Sequence, residues 1–247
     1  DDAAAGLRLA GALLQEGEAA AALAAAEAVL RHSKALAEAW HVAGAALRAL
    51  GRHEAAQRHL QRAVHLDPGH ARAWMTLGHL AADRNWPAAA EAYLREAVTR
   101  APALAAAHAS LGAVLTEAGR LAEAVAACDQ ALALAPGDPV AHWHRAAAHL
   151  LAGDFAAGWA DFEWRKRHPR FAADFPKLPG PAWDGAKLAG RSLLLRVEQG
   201  LGDTIQFARV LPVMAAQGGR VILACRPAAL QALAPMLRRL YGLTRAE

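Results

Sequence analysis

The chain has 247 residues, room for one or two domains. It is 55% hydrophobic but holds only 5 Phe and 2 Tyr, so a large aromatic core is excluded, and alanine, the strongest helix former, supplies much of the apolar count. The net charge of +4 is scattered, with no run of five basic residues, which argues against a nucleic-acid partner, whose footprint would cluster on one face.

The N-terminal Asp-Asp-Ala-Ala-Ala has no basic leader character, and no apolar run is long enough to span a bilayer. Cys128 and Cys225 sit in apolar surroundings and read as buried thiols of a reducing, cytoplasmic setting.

Trp40, Trp74, His108 and His142 stand 34 residues apart, as do Gly44, Gly78 and Gly112, with Ala146 next in the series. Ala56, Ala90 and Ala124 share the step, and so do Ala63, Ala97 and Ala131, and Pro68, Pro102 and Pro136. A fixed period of this kind predicts a solenoid of stacked supersecondary units. In chain order the units are 3–36, 37–70, 71–104, 105–138 and 139–172, followed by a Pro/Gly-rich linker over 173–190 and a different grammar over 191–247.

Unit 3–36 is degenerate, as terminal units tend to be: Gly6 replaces the Trp and Lys34 the closing Pro. Unit 37–70 carries the pattern best. Trp40, Ala43, Gly44 and Leu47 lie at i, i+3, i+4, i+7 on one face of a first helix. Ala56, Leu60, Ala63 and Val64 mark the facing side of a second helix, and Gly51-Arg52 makes the turn between them. Asp67-Pro68 ends the second helix, because the residue before proline is pushed out of helical geometry. Small residues at Gly44 and Ala56 let the two helices approach closely. Glycine recurs at this turn as Gly119 and Gly153, with Asn85 in its place in the unit 71–104. In unit 139–172 the closing half departs, with Trp159, Phe162, Trp164, Arg165, Lys166 and Arg167 replacing alanines. This reads as a cap over the last apolar face, onto which the next domain docks, since a solenoid must cover its end; the alternative is an aromatic platform for a ligand.

The pattern of unit 37–70 resembles the tetratricopeptide repeat (TPR), a pair of antiparallel helices. The resemblance implies a mostly α fold, a TPR superhelix whose first helices line a concave groove. Carried onto this chain, the groove positions of the family are Glu38, His41, Arg48, Arg72, Met75, His79, Asp83, Thr116, Glu117, Trp143 and Leu151. Arg48, Arg72, His41 and His79 make the stretch mildly basic, and the expected partner is a protein or peptide segment of acidic or mixed character. Asn85 is the sole asparagine, which removes support for an asparagine ladder or an Asn/Lys carboxylate clamp.

Twelve histidines raise the question of a metal. His142 and His144 point to different faces of a helix; His142 and His149 share one, but no Cys, Asp or Glu between them completes a set. Zinc needs three or four converging ligands, so no metal is expected.

In the last stretch, Ser192–Val197 is a short apolar run bounded by turns and reads as a buried parallel strand. Glu198–Asp203 is a glycine-containing turn, Thr204–Ala216 a helix broken or kinked at Pro212, Val221–Cys225 a second strand and Pro227–Leu240 a second helix. Strand, helix, strand, helix predicts a partial Rossmann-like α/β unit. Gly200, Gly202 and Thr204 stand where such folds place ligands, at a helix start beyond a strand end, where free N–H groups favour an anion. Asp203 reads equally well as the helix N-cap.

The string from Trp183-Asp-Gly through Glu198-Gln-Gly-Leu-Gly-Asp-Thr-Ile-Gln-Phe-Ala-Arg209 resembles bacterial proteins that join TPR repeats to a glycosyltransferase-like domain, similar to the heptosyltransferases of GT-B fold. The resemblance implies that Asp203, in the matching Gly202-Asp203, is the base that deprotonates an acceptor hydroxyl. It also implies a nucleotide-sugar donor for an intact parent and no cofactor in this chain, since a GT-B enzyme needs two Rossmann-like domains and this sequence reaches Glu247 after two strands. The chain reads as a fragment or truncated product, inactive by itself. Three functions compete: an interaction scaffold, the N-terminal part of a sugar transferase whose repeats recruit a protein acceptor, and an assembly scaffold whose repeats and exposed strand edge drive self-association.

Overall fold

The computed structural model describes residues 2–172, 175, 180–197, 201–224 and 235, with the backbone alone for Leu201, Asp203 and Phe207. It divides into two compact units, Asp1–Phe171 and Ala172–Glu247.

The first unit is helical throughout its described length: α1 (Asp2–Gln15), α2 (Ala19–His32), α3 (Ala37–Ala49), α4 (His53–Leu66), α5 (Ala71–Asp83), α6 (Pro87–Arg100), α7 (Ala105–Glu117), α8 (Leu121–Leu134), α9 (Pro139–Leu151) and α10 (Phe155–Phe162), closed by a 3-10 turn over Glu163–Arg167. The helices pack as pairs, α1 on α2 through α9 on α10, and each second helix packs on the first helix of the next pair. Successive first helices (α1, α3, α5, α7 and α9) also touch one another, so these five line one inner face.

The turn inside each pair has a common cause. Gly17, Gly51, Asn85, Gly119 and Gly153, one period apart, all have positive φ, between 57° and 84°. The reversal needs the left-handed conformation, which glycine adopts without penalty and asparagine tolerates best among the rest. The backbone N–H after each then bonds five residues back: Glu18 to Leu13, Arg52 to Leu47, Trp86 to Ala81, Arg120 to Leu115 and Asp154 to His149, at 2.8–2.9 Å. Between pairs, Asp67, Ala101 and Ala135 are extended ahead of their prolines. Ser33 takes the same geometry ahead of Lys34, so proline secures this break without being required for it.

Small residues set the spacing within each pair. A Cβ on Gly44 would collide with Leu60, on Gly78 with Leu94, and on Gly112 with Cys128, the same neighbour one period on. In the last pair the small residue changes sides: Gly158 on α10 receives Leu150 of α9. Ala56, Ala63, Ala90, Ala97, Ala124 and Ala131 are fully buried at these seams. Cys128 fills a leucine position, and burial pushes its thiol up to about 12. Cys225 lies outside the described residues.

In the second unit, β1 (Ser192–Arg196) and β2 (Arg220–Ala224) pair in parallel, with Ser192 opposite Arg220 and Arg196 opposite Ala224. Two short helices, α11 (Leu201–Ala208) and α12 (Leu211–Ala215), occupy the connection. The helix expected over 204–216, broken or kinked at Pro212, is broken into two, because Pro212 lacks an N–H and its ring clashes with the carbonyl four residues back, at Ala208, where α11 ends. Two expectations change here. The strands are not buried on both faces: Leu195, Val221 and Leu223 pack toward Ala208 and Leu211 and Leu193 is buried, whereas the paired Leu194 and Ile222 are more than a third exposed. The partial Rossmann-like unit reduces, among the described residues, to this two-stranded sheet; the helix expected over 227–240 lies outside them apart from residue 235. No described helix is long and apolar enough to cross a membrane.

Candidate interaction groove

The inner face presents one polar side chain after another at the seams between first helices. His41 on α3 reaches Thr76 on α5 (Nε2–Oγ1 3.2 Å), and His79 on α5 reaches Ser110 on α7 (Nε2–Oγ 2.8 Å). Both hydroxyls donate to the carbonyl four residues back, Thr76 to Arg72 and Ser110 to Ala106. Each hydroxyl proton is therefore committed, so the imidazole Nε2–H is the donor in both pairs. Arg48 on α3 grips Asp83 on α5, with Nε donating at 2.6 Å and a second nitrogen at 3.3 Å.

These contacts change the character of the groove. Of the four residues expected to make it basic, Arg48 is paired with Asp83, His41 is buried, and His79 is depressed to about 4, by burial first and then by the Arg48 charge beside it. Arg72 is the exposed cation of the set. Met75 is half-buried beside the core of the middle repeats. The side chains that sequence pattern assigns to a ligand thus serve in part as bolts between repeats.

Trp143 stands in an aromatic cluster, 5.3 Å from the Phe162 ring, 5.0 Å from Phe171 and 6.0 Å from His168. Trp164 stacks on His142 at 4.0 Å with the rings almost parallel. Beneath them Asp161 accepts from Arg145 (Nε 2.6 Å, a second nitrogen 2.8 Å) and lies 2.8 Å from His142 Nδ1. Against the opposing effect of burial, Arg145 and His142 hold its carboxyl below the ordinary value. The aromatic residues after α10 therefore fold back on α9 and cover the last apolar face of the repeats. Trp159 stays half-exposed, edge-on to Phe162.

In the second unit Gly200 and the side chain of Asp203 lie outside the described residues. Asp203 falls within the first turn of α11, which begins at Leu201, so it is not the N-cap. A Cβ at Gly202 would meet nothing within 4 Å, and Thr204 is buried.

One cluster was missed by the sequence reading. Glu38, His41 and His70 bring a carboxylate oxygen and two imidazole nitrogens within 4.8 Å of one another. Glu38 and His41 are one helical turn apart, but His70 comes from the N-cap of α5, far along the chain. The period itself offered the signal, because position 70 precedes the helix that packs beside α3.

Two family models, both described as tetratricopeptide repeat, match residues 37–80 and 76–139. Protein FlbA of Caulobacter vibrioides is 39% identical over 70 residues, 28% of this chain and 11% of that protein, so the match spans about a ninth of the relative's length. Among solved structures, a MamA protein aligns with TM-score 0.53 at 20% identity, over 73% of this chain and 98% of that one. TTC0263, a thermophilic TPR protein of Thermus thermophilus, aligns with TM-score 0.60 at 22% identity, over 70% of this chain and 94% of that one. YrrB aligns with TM-score 0.50 at 19% identity, over 66% of this chain and 84% of that one. With the helix pairs, the left-handed turns and the small-residue seams all repeating at one period, residues 37–139 are tetratricopeptide repeats.

Proposed function

We propose that the repeat unit is a protein-interaction scaffold that holds a protein or peptide segment along its inner face. The observation that carries this reading is the abutment of successive first helices, which puts Arg72, Met75 and their counterparts from neighbouring repeats on one continuous surface. YrrB, of the same fold, is described as a TPR protein with an unusual peptide-binding site. The pairing of Arg48 with Asp83 favours a segment of mixed charge over a strongly acidic one. Peptides selected from a displayed random library against the chain provide the test. Binding that drops at least about tenfold in Arg72→Glu with Met75→Ala, at unchanged helicity, supports the inner face; affinity indifferent to both substitutions overturns it.

A second reading rests on the second unit: the chain is the N-terminal part of a bacterial sugar transferase whose repeats recruit a protein acceptor. The parallel pairing of β1 with β2, and the place of Gly202-Asp203 in the first turn of the helix that follows β1, favour it. A nucleotide-sugar donor would then bind the intact parent. Transfer that survives Asp203→Ala in the parent removes Asp203 as the base. Self-association is the remaining reading, through the exposed Leu194 and Ile222, and a sedimentation coefficient independent of concentration removes it.

A further inference from the structure

The cluster of Glu38, His41 and His70 has a feature that no protein contact explains. His41 Nδ1 is buried without a hydrogen-bond partner, 3.6 Å from Glu38 Oε2. The tautomer is determined by the other side of the ring. Thr76 has given its proton to the Arg72 carbonyl, so His41 Nε2 carries the hydrogen and donates to Thr76. In the neutral imidazole Nδ1 is then a bare lone pair directed at a carboxylate. A buried imidazole lone pair facing a half-exposed carboxylate is an arrangement that a cation between them converts from repulsive to favourable.

We propose that Glu38, His41 and His70 form a binding site for a divalent first-row transition ion of the zinc type, on the inner face between the second and third repeats.

The donor set has the composition of an open zinc site, two imidazoles and a carboxylate, with one position left for water or for a group of a bound partner. Ligands of a tetrahedral ion with bonds of 2.0–2.1 Å stand about 3.4 Å apart, close to the 3.6 Å between His41 Nδ1 and Glu38 Oε2. The Thr76 contact is the outer support that a ligating histidine usually has, an acceptor on the far ring nitrogen that fixes tautomer and orientation. Access is open on one side, where the Glu38 side chain is 45% exposed while both imidazoles are shielded.

His70 needs one rearrangement. It now accepts the Ala73 N–H at Nδ1 (3.3 Å) and contacts Glu38 Oε2 through Nε2 (2.7 Å). Ligation through Nε2 shifts its single proton to Nδ1, so the ring stays neutral and the buried Ala73 N–H keeps its bond to the His70 carbonyl (3.0 Å). The bond given up is a long one.

The test uses the full chain, freed of metal by chelator and titrated calorimetrically with Zn2+ alone, with Co2+ as an optical probe. One equivalent binds in the micromolar range or tighter, Co2+ gives the intense visible bands of a low-coordinate site, and Zn2+ raises the melting temperature by tying α3 to α5. Glu38→Gln, at a half-exposed position where folding is not at risk, weakens the site at least about tenfold. His65→Gln, at an exposed histidine away from the cluster, leaves it unchanged. Absence of a one-equivalent event in the wild-type chain overturns the proposal. So does equal affinity in Glu38→Gln, which assigns the binding to other histidines.

Discussion

His108 Nε2 lies 2.9 Å from the backbone carbonyl of Pro102, six residues earlier. A carbonyl only accepts, so His108 donates. One period before, Trp74 Nε1 donates to Pro68 at 3.0 Å; Trp40 Nε1 donates to Lys34 at 2.8 Å, and His142 Nε2 faces Pro136 at 3.0 Å. The position requires a ring N–H that ties the inter-repeat turn to the following helix, which explains why these four repeats place Trp or His there. His108→Phe keeps a ring and removes the donor, and is expected to cost about 1 kcal/mol in urea unfolding. His108→Trp is expected to be neutral or stabilising.

Asn85 is the one non-glycine among the five left-handed turns of the repeats. Asn85→Gly should change stability by less than about 0.5 kcal/mol, whereas Asn85→Ala should lose about 1–2 kcal/mol, the cost of the left-handed region for a residue with a plain Cβ. Denaturant midpoints of the two variants give the comparison.

Gly112 and Cys128 occupy the same seam as Gly44 with Leu60 and Gly78 with Leu94. Gly112→Ala drives a methyl group toward the Cys128 sulfur and should destabilise the chain by about 1–3 kcal/mol despite the better helix propensity of alanine. Cys128→Ala makes room for that methyl. The double variant should therefore be more stable than the sum of the two single losses predicts, and a double-mutant cycle with no coupling would show that the seam has another source of tightness.

His79 carries the clearest pH signature. Its imidazole, buried against Ser110 with Arg48 and His144 as repelling neighbours and Asp83 opposing them, titrates at about 4 instead of 6.5. Between those values the unfolded chain binds the proton that the folded chain refuses. Stability from this group is therefore fully present above pH 6.5, falls as pH drops through the window and levels off below 4. The loss by pH 4 amounts to about 3 kcal/mol. His79→Gln should flatten the wild-type stability curve over this interval, and equal slopes in the two proteins would refute the assignment.

The sequence by itself determined the repeat. Period, turn residues, small-residue seams and helix breaks are local or one-period properties, and backbone sterics decides them: a left-handed turn selects Gly17, Gly51, Asn85, Gly119 and Gly153 wherever it recurs. It also located the two strands and the interruption at Pro212. Only tertiary structure decided what the inner-face side chains do. Arg48, His41 and His79 have the spacing of ligand contacts, yet each finds its partner on the next first helix, at Asp83, Thr76 and Ser110. The Glu38, His41 and His70 cluster was hidden for the same reason, because a histidine at a helix N-cap becomes a neighbour of α3 only when α5 packs beside it. Hydrogen bonding and ion pairing act between side chains brought within about 3 Å, and in a solenoid that distance is set by how one repeat lies on the next.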